Sequence, residues 1–225
     1  MDLSFESFVL AGVTADLSEE PAAREHADAV EFRMDLAADP LAALADYDGD
    51  LPIIATDRID VEGGDSPPGE ERRDRLRTAA REPAVAAVDV ELGVADSPAG
   101  EDLLSDLDEA GVDTVVSVHD FEGTPSPERM GSVLGAAAER GDVAKLAVTA
   151  EDPGDALQLL TVTWRQASAG NRVATMAMGE AGRHTRAVAP AYGSRIGYAP
   201  VVPAQATAPG QYDLATLAEL VDRLR

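Results

Sequence analysis

The sequence contains no cysteine, and Lys145 is its only lysine among 18 basic residues. Without cysteine the chain forms no disulfide and offers no thiolate to a metal. Residues 1–6 show no basic region followed by an apolar core, so we predict no signal peptide. No apolar run approaches the roughly 18 residues of a membrane span. We therefore expect a soluble, cytoplasmic protein that does not cross a membrane.

Acidic residues dominate the charge of the chain. There are 42 acids against 18 bases, which gives a formal net charge of -24. A field of this sign repels nucleic acid and anionic membranes, so we expect neither as a partner. The acids occur along the length rather than in a terminal tail. Together with the scarcity of lysine, this composition is typical of salt-adapted proteins, in which concentrated salt screens the self-repulsion. We predict a halophilic, archaeal source.

Short apolar runs alternate with longer acidic, alanine-rich segments. We predict strands over residues 8–13, 29–33, 53–56, 86–90, 114–118, 143–148, 172–176 and 194–198. We predict helices over residues 18–27, 40–45, 70–80, 100–110, 127–140, 153–169, 182–187 and 213–224. Eight strand–helix units in 225 residues predict an α/β fold, a (β/α)8 TIM barrel forming one domain over residues 1–225. A doubly wound open sheet is the alternative, but no glycine-rich dinucleotide fingerprint follows the first strand.

Lys145 lies in the apolar run of the sixth predicted strand. Burial disfavours the ammonium form, so we expect a neutral amine that is available as a nucleophile. Such an amine forms a Schiff base with a carbonyl substrate. The alternative is a strand-end lysine whose amine extends to water. Because arginine is used at every other basic position, we favour a role that requires amine chemistry.

Strand parity places further polar side chains on the same face as Lys145. Residues two apart in a strand point to one side. By this rule the inward face carries Glu31 and Arg33, Asp89 and Glu91, Ser117 and His119, and Met176 and Met178. Active sites of such barrels form at the C-terminal ends of the strands, which is where these residues fall.

His119 is the histidine best placed for proton transfer near neutral pH. A carboxylate commonly orients such an imidazole through a hydrogen bond. Asp89 and Glu91 are both candidates for this partner, and the sequence does not choose between them. Each could equally be an internal ion-pair partner of an arginine. Of the other histidines, His26 is predicted on the surface of the first helix and His184 in the segment after the seventh strand.

Six segments resemble, in the same order, those of one known family. They are Glu31-Phe-Arg33-Met-Asp35, Arg58 followed by Glu62-Gly-Gly, Ser117-Val-His119-Asp-Phe121, Ala144-Lys145-Leu-Ala-Val148, Met176-Ala-Met178-Gly179 and Ala208-Pro-Gly-Gln211. With these segments the chain resembles type I 3-dehydroquinate dehydratase, the Schiff-base enzyme of the shikimate pathway, from the second strand to the final loop. Thr185 and Thr207 stand where that family usually has serine, and both keep the hydroxyl.

The resemblance implies a role for each matching residue. Lys145 would form an imine with the ketone of 3-dehydroquinate, and His119 would transfer protons. The substrate-binding set would be Glu31, Arg33, Arg58, Glu62, Arg186, Thr207 and Gln211, with Arg186 on the substrate carboxylate. Phe121, Met176 and Met178 would form the pocket wall. The resemblance implies no metal and no organic cofactor, and the family includes homodimers. The loop carrying Gln211 and the glycine-rich stretch 63–69 are candidate lids.

Three other functions are compatible with parts of the pattern. A Schiff-base aldolase would share Lys145 and the barrel, and would need a phosphate site such as the backbone of Gly193-Ser194. A non-catalytic binding barrel would have no reason to keep both Lys145 and His119. A cation-binding acidic protein ranks last, because no D-x-D-x-D-G calcium loop is present.

Overall fold

The chain folds as a (β/α)8 barrel in the computed structural model, which describes residues 3–205, 208 and 210–224. The strands are β1 Val9–Thr14, β2 Ala29–Arg33, β3 Ile53–Thr56, β4 Val85–Glu91, β5 Asp113–Asp120, β6 Val143–Thr149, β7 Val173–Met178 and β8 Ile196–Pro200. Neighbouring strands pair in parallel around the sheet, and β1 pairs with both β2 and β8. A single parallel bridge between Val173 and Ser194 brings β7 and β8 together. The predicted barrel is confirmed, and the open sheet is excluded.

The helices cover the outside of the barrel. They are α1 Pro40–Ala45, α2 Glu70–Ala79, α3 Leu92–Ala95, α4 Pro98–Ala110, α5 Pro127–Ala138, α6 Pro153–Ser168, α7 Gly179–Gly182, α8 Thr185–Val188 and α9 Leu214–Leu224. Four of them begin with proline after a side chain that accepts a backbone N–H at the helix start: Asp39, Ser97, Ser126 and Asp152. These are favourable N-terminal caps, because they satisfy amides that have no partner inside the helix.

The predicted first helix, residues 18–27, is wrong. The segment forms a 3-10 helix over Leu17–Ala22 followed by turns, and His26 lies in the turns. Pro21 lacks the N–H that a continuing helix needs. The side chain of Glu20 is buried, where it accepts the backbone N–H groups of Asp50 and Leu51, each at 3.1 Å. The segment therefore forms a short 3-10 helix with Glu20 pointing inward, and not the regular helix that we expected.

The predicted helix 182–187 is divided in two, and β8 begins later than expected. Gly182 packs against Ala177 so closely that a side chain would collide with it. The hydroxyl of Thr185 donates to the carbonyl of Gly182 at 2.7 Å and accepts the N–H of Ala177 at 2.9 Å. This contact holds α7 and α8 against the end of β7. Ser194, predicted as the first residue of the eighth strand, instead accepts the N–H of Thr175 through its hydroxyl at 3.1 Å.

The hydrophobic core has two layers, as strand parity predicts. Val143 and Ala147 of β6 belong to the cluster that fills the barrel. Leu146 and Val148 belong to the larger cluster between the strands and the helices. The side chain of Lys145 therefore points into the barrel. Within the described residues, no helix has both the length and the apolar character that a membrane span requires.

Candidate active site

A cavity opens at the C-terminal end of the barrel. It is lined by Glu31, Arg33, Thr56, Arg58, Glu62, Gly63, His119, Phe121, Lys145, Ala147, Met176, Met178, Arg186, Tyr198, Ala208 and Gln211. Every predicted site residue is in this set except Thr207, which lies outside the described residues. Residues far apart in the sequence thus meet around one cavity.

Lys145 lies inside the barrel and is only 4% exposed to solvent. Its Nζ is 3.0 Å from Oδ2 of Asp89 and 3.4 Å from Oε1 of Glu31. The ring of Tyr198 lies beneath the amine, with the centroid 4.2 Å from Nζ. The expected burial is confirmed. The amine thus lies between two carboxylates and the face of an aromatic ring.

Arg58 stands between the carboxylates of β4. Its Nη2 is 2.7 Å from Oδ1 of Asp89, and its Nη1 is 3.1 Å from Oε1 of Glu91. Ser117 accepts from Arg58 at 2.7 Å and donates to Asp89 at 2.6 Å. Burial would raise the pKa of Asp89, but the charges of Arg58 and Lys145 outweigh it and hold that pKa far below its usual range. Asp89 is therefore ionised and fixed between two cations.

A second arginine supports this group from outside the barrel. Arg72 of α2 is fully buried, and its Nη2 lies 2.6 Å from Oε2 of Glu91. The other oxygen of Glu91 accepts the backbone N–H of Ile59 at 3.1 Å. Glu91 thus connects α2, Arg58 and the start of the loop after β3. Because both oxygens of Glu91 have partners, its buried negative charge is compensated.

Glu62, rather than Asp89 or Glu91, holds His119. Oε2 of Glu62 lies 3.0 Å from Nδ1 of the imidazole and accepts the backbone N–H of His119 at 3.0 Å. The interpretation that Asp89 or Glu91 orients His119 is therefore wrong. The 3-10 turn Asp60–Glu62 brings Glu62 to His119 from the loop after β3. Because Glu62 also lines the cavity, it has both a positioning contact and access to a bound ligand.

Burial shifts the pKa values of His119 and Glu62 in opposite directions, because it disfavours the charged form of each. It lowers the pKa of His119 well below its usual value, and the charges of Arg58 and Lys145 lower it further. The imidazole is therefore neutral at pH 7 and able to accept a proton. Burial raises the pKa of Glu62 to about 7, although Arg58 opposes the shift. A histidine that is uncharged and held by a carboxylate has the features of a general base.

Arg186 lines the cavity and is buried, and among the described residues no carboxylate pairs with it. It is 4% exposed, and its Nε and Nη2 find no hydrogen-bond partner in the described part of the chain. Burial lowers its pKa to about 10. A guanidinium offers a planar pair of donors that matches a carboxylate. An anionic group of a bound ligand would satisfy these donors.

Phe121 and the stretch after Glu62 form one rim of the cavity. The Phe121 ring lies beside the His119 ring, with centroids 6.4 Å apart and planes at 18°. Gly63 has φ of 80°, and a Cβ there would lie 2.6 Å from the Phe121 ring, so glycine is required both by the backbone and by the contact. The stretch 63–69 is fastened at Ser66, whose N–H donates to the carbonyl of Arg58 at 3.2 Å and whose hydroxyl donates to Asp57.

Several site residues were not predicted from the sequence. Tyr198 is buried in the floor of the cavity, and its hydroxyl has no hydrogen-bond partner among the described residues. Burial raises its pKa well above the usual value, and the charges of Glu31 and Asp89 add to this shift. Thr56 donates to Oε1 of Glu31 at 3.0 Å. Parity would have placed Tyr198 and Thr56 inward, whereas nothing in the local sequence identifies Arg72.

The structure also bears on the alternative functions. The N–H groups of Gly193 and Ser194 donate to Pro190 and Ala189 within their own turn, so they do not form a phosphate site. In the described part of the chain, no group of three histidine or acidic side chains is arranged to hold a metal ion.

On the last loop, the N–H of Ala208 donates to Oε1 of Gln211 at 3.2 Å.

Comparison with known proteins places the chain beside one family over nearly its whole length. The family model of type I 3-dehydroquinase matches residues 7–224. A 3-dehydroquinate dehydratase of Halobacterium salinarum is 54% identical over 226 residues, covering 99% of this chain and 100% of that protein. Another, of Haloarcula marismortui, is 53% identical over 226 residues, with 99% of each chain covered. Both relatives are from halophilic archaea, as the acidic composition predicted.

A solved structure gives the same result for the fold. The crystal structure of 3-dehydroquinate dehydratase from Geobacillus kaustophilus is 28% identical to this chain, with a TM-score of 0.84. The alignment covers 97% of this chain and 91% of that one. Since the family model and the relatives extend over nearly the whole sequence, the agreement is not confined to the barrel architecture. The chain belongs to the type I 3-dehydroquinase family.

Proposed function

We propose that this protein removes water from 3-dehydroquinate to give 3-dehydroshikimate, through an imine on Lys145. The observation that carries the proposal is the position of the only lysine, buried in the cavity 3.0 Å from Asp89, in a site that also contains the buried Arg186. The first group is suited to a ketone, and the second to a carboxylate. 3-Dehydroquinate carries both on one ring.

Lys145 acts as nucleophile and electron sink. Its neutral amine adds to the C3 ketone, and loss of water gives a protonated imine. This cation acidifies the neighbouring C2–H bond, because the electron pair released on deprotonation moves to the imine nitrogen. The resulting enamine expels the C1 hydroxyl and forms the conjugated system. A second water then hydrolyses the imine, so that one water is released overall and the lysine is regenerated.

His119 carries the protons. His119 lies on β5 opposite Ala147 of β6, one inward position beyond the pair Ser117 and Lys145, so the imidazole is nearer the mouth of the cavity than the lysine. The neutral ring accepts the C2 proton and returns it to the departing hydroxyl. Glu62 holds Nδ1, which leaves Nε2 for the substrate.

The remaining cavity residues orient the ring. Arg186 binds the substrate carboxylate with the donors that no described residue occupies. Glu31, Arg33 and Arg58 provide polar contacts for the ring hydroxyls, together with Glu62, Thr207 and Gln211. Phe121, Met176 and Met178 supply the apolar wall and limit access of water to the imine.

The test is to trap the imine. The protein is incubated with 3-dehydroquinate and sodium borohydride in concentrated KCl, and intact mass and peptide mapping locate the reduced adduct. We expect one adduct at Lys145, and formation of an ultraviolet-absorbing enone when borohydride is omitted. Lys145→Arg is the control, since it keeps the positive charge but forms no imine. Enone formation without an adduct would reject the imine, whereas absence of both from folded protein would reject the activity.

A further inference from the structure

The hydroxyl groups of Ser117 and Thr56 lie beside the carboxylates that bind Lys145, and both already donate to them. Ser117 is the partner of Lys145 in the pairing of β5 with β6, and its hydroxyl donates to Asp89 at 2.6 Å. Thr56 donates to Oε1 of Glu31 at 3.0 Å. The protons of these two hydroxyls are therefore held by acceptors of the protein itself.

The hydroxyl of Tyr198 differs from these two, because none of the described residues accepts its proton. Tyr198 is 3% exposed and lines the cavity. Leaving a buried hydroxyl without a partner is costly, so such a group in a native protein calls for an explanation, for example a catalytic role or a bound molecule. Burial raises the pKa of Tyr198 well above its usual value, and the charges of Glu31 and Asp89 raise it further. The hydroxyl therefore keeps its proton at neutral pH and is available as a donor.

The ring of Tyr198 places this hydroxyl beside the reacting amine, since the ring centroid is 4.2 Å from Nζ of Lys145. When an amine adds to a ketone, the nitrogen and the ketone oxygen become bonded to the same carbon. Groups that surround Nζ therefore also surround that oxygen, which gains negative charge as the C–N bond forms and requires a donor. The carboxylates next to Nζ are acceptors, and Arg58 is paired with Asp89 and Glu91. Tyr198 offers a hydroxyl proton that is not already engaged with a described residue.

We propose that the Tyr198 hydroxyl binds the oxygen on the ketone carbon while the imine on Lys145 forms and is hydrolysed, an inference that rests on the function proposed above. As Nζ attacks, the carbonyl π electrons move to the oxygen, which takes the proton that the amine releases and becomes a hydroxyl. The nitrogen lone pair then forms the C=N bond, and the oxygen leaves as water with a second proton that His119 carries from solvent. Tyr198 donates a hydrogen bond to this oxygen and keeps its own proton throughout. Hydrolysis follows the same steps in reverse, with Tyr198 binding the incoming water.

Tyr198→Phe tests the proposal, because it removes the hydroxyl and keeps the ring against Lys145. The protein is mixed with 3-dehydroquinate in concentrated KCl, sodium borohydride is added at set times, and mass spectrometry measures the adduct on Lys145. We expect the adduct of Tyr198→Phe to form roughly 10- to 100-fold more slowly than that of the wild type, a loss at or below that of one oxyanion-hole donor. Formation at the wild-type rate would reject the role of Tyr198 alone. Absence of any adduct from folded wild-type protein would instead reject the function on which this role rests.

Tyr47→Phe is the matched control, since the Tyr47 hydroxyl donates to the carbonyl of Leu51 at 2.8 Å and the residue does not line the cavity. This variant should form the adduct at the wild-type rate and unfold at a lower urea concentration. Tyr198→Phe should form it slowly and unfold at a urea concentration no lower than that of the wild type, because the lost hydroxyl has no partner among the described residues. A lower urea midpoint together with an unchanged rate in Tyr198→Phe would show that the hydroxyl is structural.

Substrate that carries deuterium at C2 separates the imine steps from proton removal. In His119→Ala, removal of the C2 proton should limit kcat/KM and give a primary isotope effect. In Tyr198→Phe, imine formation should be limiting instead, and the isotope effect should fall towards unity. An isotope effect in Tyr198→Phe as large as that in His119→Ala would assign the hydroxyl to proton removal and overturn the proposal.

Discussion

Glu62 Oε2 lies 3.0 Å from His119 Nδ1 and accepts the backbone N–H of the same residue, also at 3.0 Å. One carboxylate oxygen therefore binds the imidazole and the strand that carries it. The contact limits rotation of the ring and favours the tautomer with the proton on Nδ1, which leaves Nε2 as the base. The loop after β3 thereby positions the imidazole of β5 that we propose as the proton carrier.

The pH dependence of turnover should depend on Glu62. Its pKa is raised to about 7 by burial, so the carboxylate gains a proton as pH falls through 7 and no longer supports a basic His119. We expect kcat/KM of the wild type to fall as pH drops below about 7. In Glu62→Gln the acidic limb of the pH profile should lie at lower pH, because it then follows the depressed pKa of His119. The maximal rate of Glu62→Gln should also be lower than that of the wild type. An acidic limb unchanged in Glu62→Gln would show that Glu62 does not titrate with activity.

The same substitution has a consequence for stability. A carboxyl whose folded pKa is raised from 4.5 binds more protons in the folded state than in the unfolded state between pH 4.5 and about 7. Its contribution to stability is therefore lost as pH rises through this window. Glu62→Gln should be more resistant to urea than the wild type at pH 8, and the difference should shrink towards pH 5. A constant difference over that range would argue against the raised pKa.

Removing the imidazole should slow proton transfer without preventing adduct formation. For His119→Ala we expect turnover to fall by roughly 10²- to 10⁴-fold, the usual contribution of a general base. Lys145 should still be reduced onto the substrate by borohydride, although more slowly. His26→Ala, in the turn after the first 3-10 helix, is the control and should be fully active. Wild-type turnover in His119→Ala would exclude His119 from the reaction.

Arg186 is expected to contribute to binding at the expense of stability. Arg186→Met should raise KM by roughly 10- to 150-fold, since a hydrogen bond to a charged group contributes about 1.5–3 kcal/mol. The folded protein should also become more stable, because burial lowers the pKa of this arginine to about 10 and no described carboxylate compensates it. Steady-state kinetics and urea unfolding measure the two effects. The exposed Arg129→Met should change neither, and a parallel loss of stability and affinity would refute the binding role.

Stability should rise with KCl. With a net charge of -24, self-repulsion destabilises the compact state. Salt weakens this repulsion, because the Debye screening length is about 3 Å at 1 M. We expect the urea midpoint to increase from dilute to molar KCl, and to increase less with an equal concentration of an uncharged osmolyte. A midpoint independent of KCl would contradict the salt-adapted interpretation.

The sequence by itself determined the barrel and the inward face that carries Lys145. Short apolar runs alternating with capped helices allow few arrangements, and the two-residue period of a strand assigns each side chain to the core or the helices. For this reason Glu31, Arg33, Lys145 and Met176 were placed correctly without a structure. The resemblance to the family then supplied Arg58 and Arg186, which lie outside the strands.

Only the tertiary structure decided which charged groups are partners. Glu62 precedes His119 by 57 residues, and Arg72 reaches Glu91 from a helix, so neither contact has a local signal. The partner of His119 could not be inferred from strand parity, because it comes from a 3-10 turn held by Ile59 and Ser66. Similarly, the segment around Glu20 forms no regular helix, and the Glu20 side chain accepts a backbone amide 30 residues away. Periodicity depends on local geometry, whereas ion pairing in a buried site depends on distances that exist only after the barrel closes.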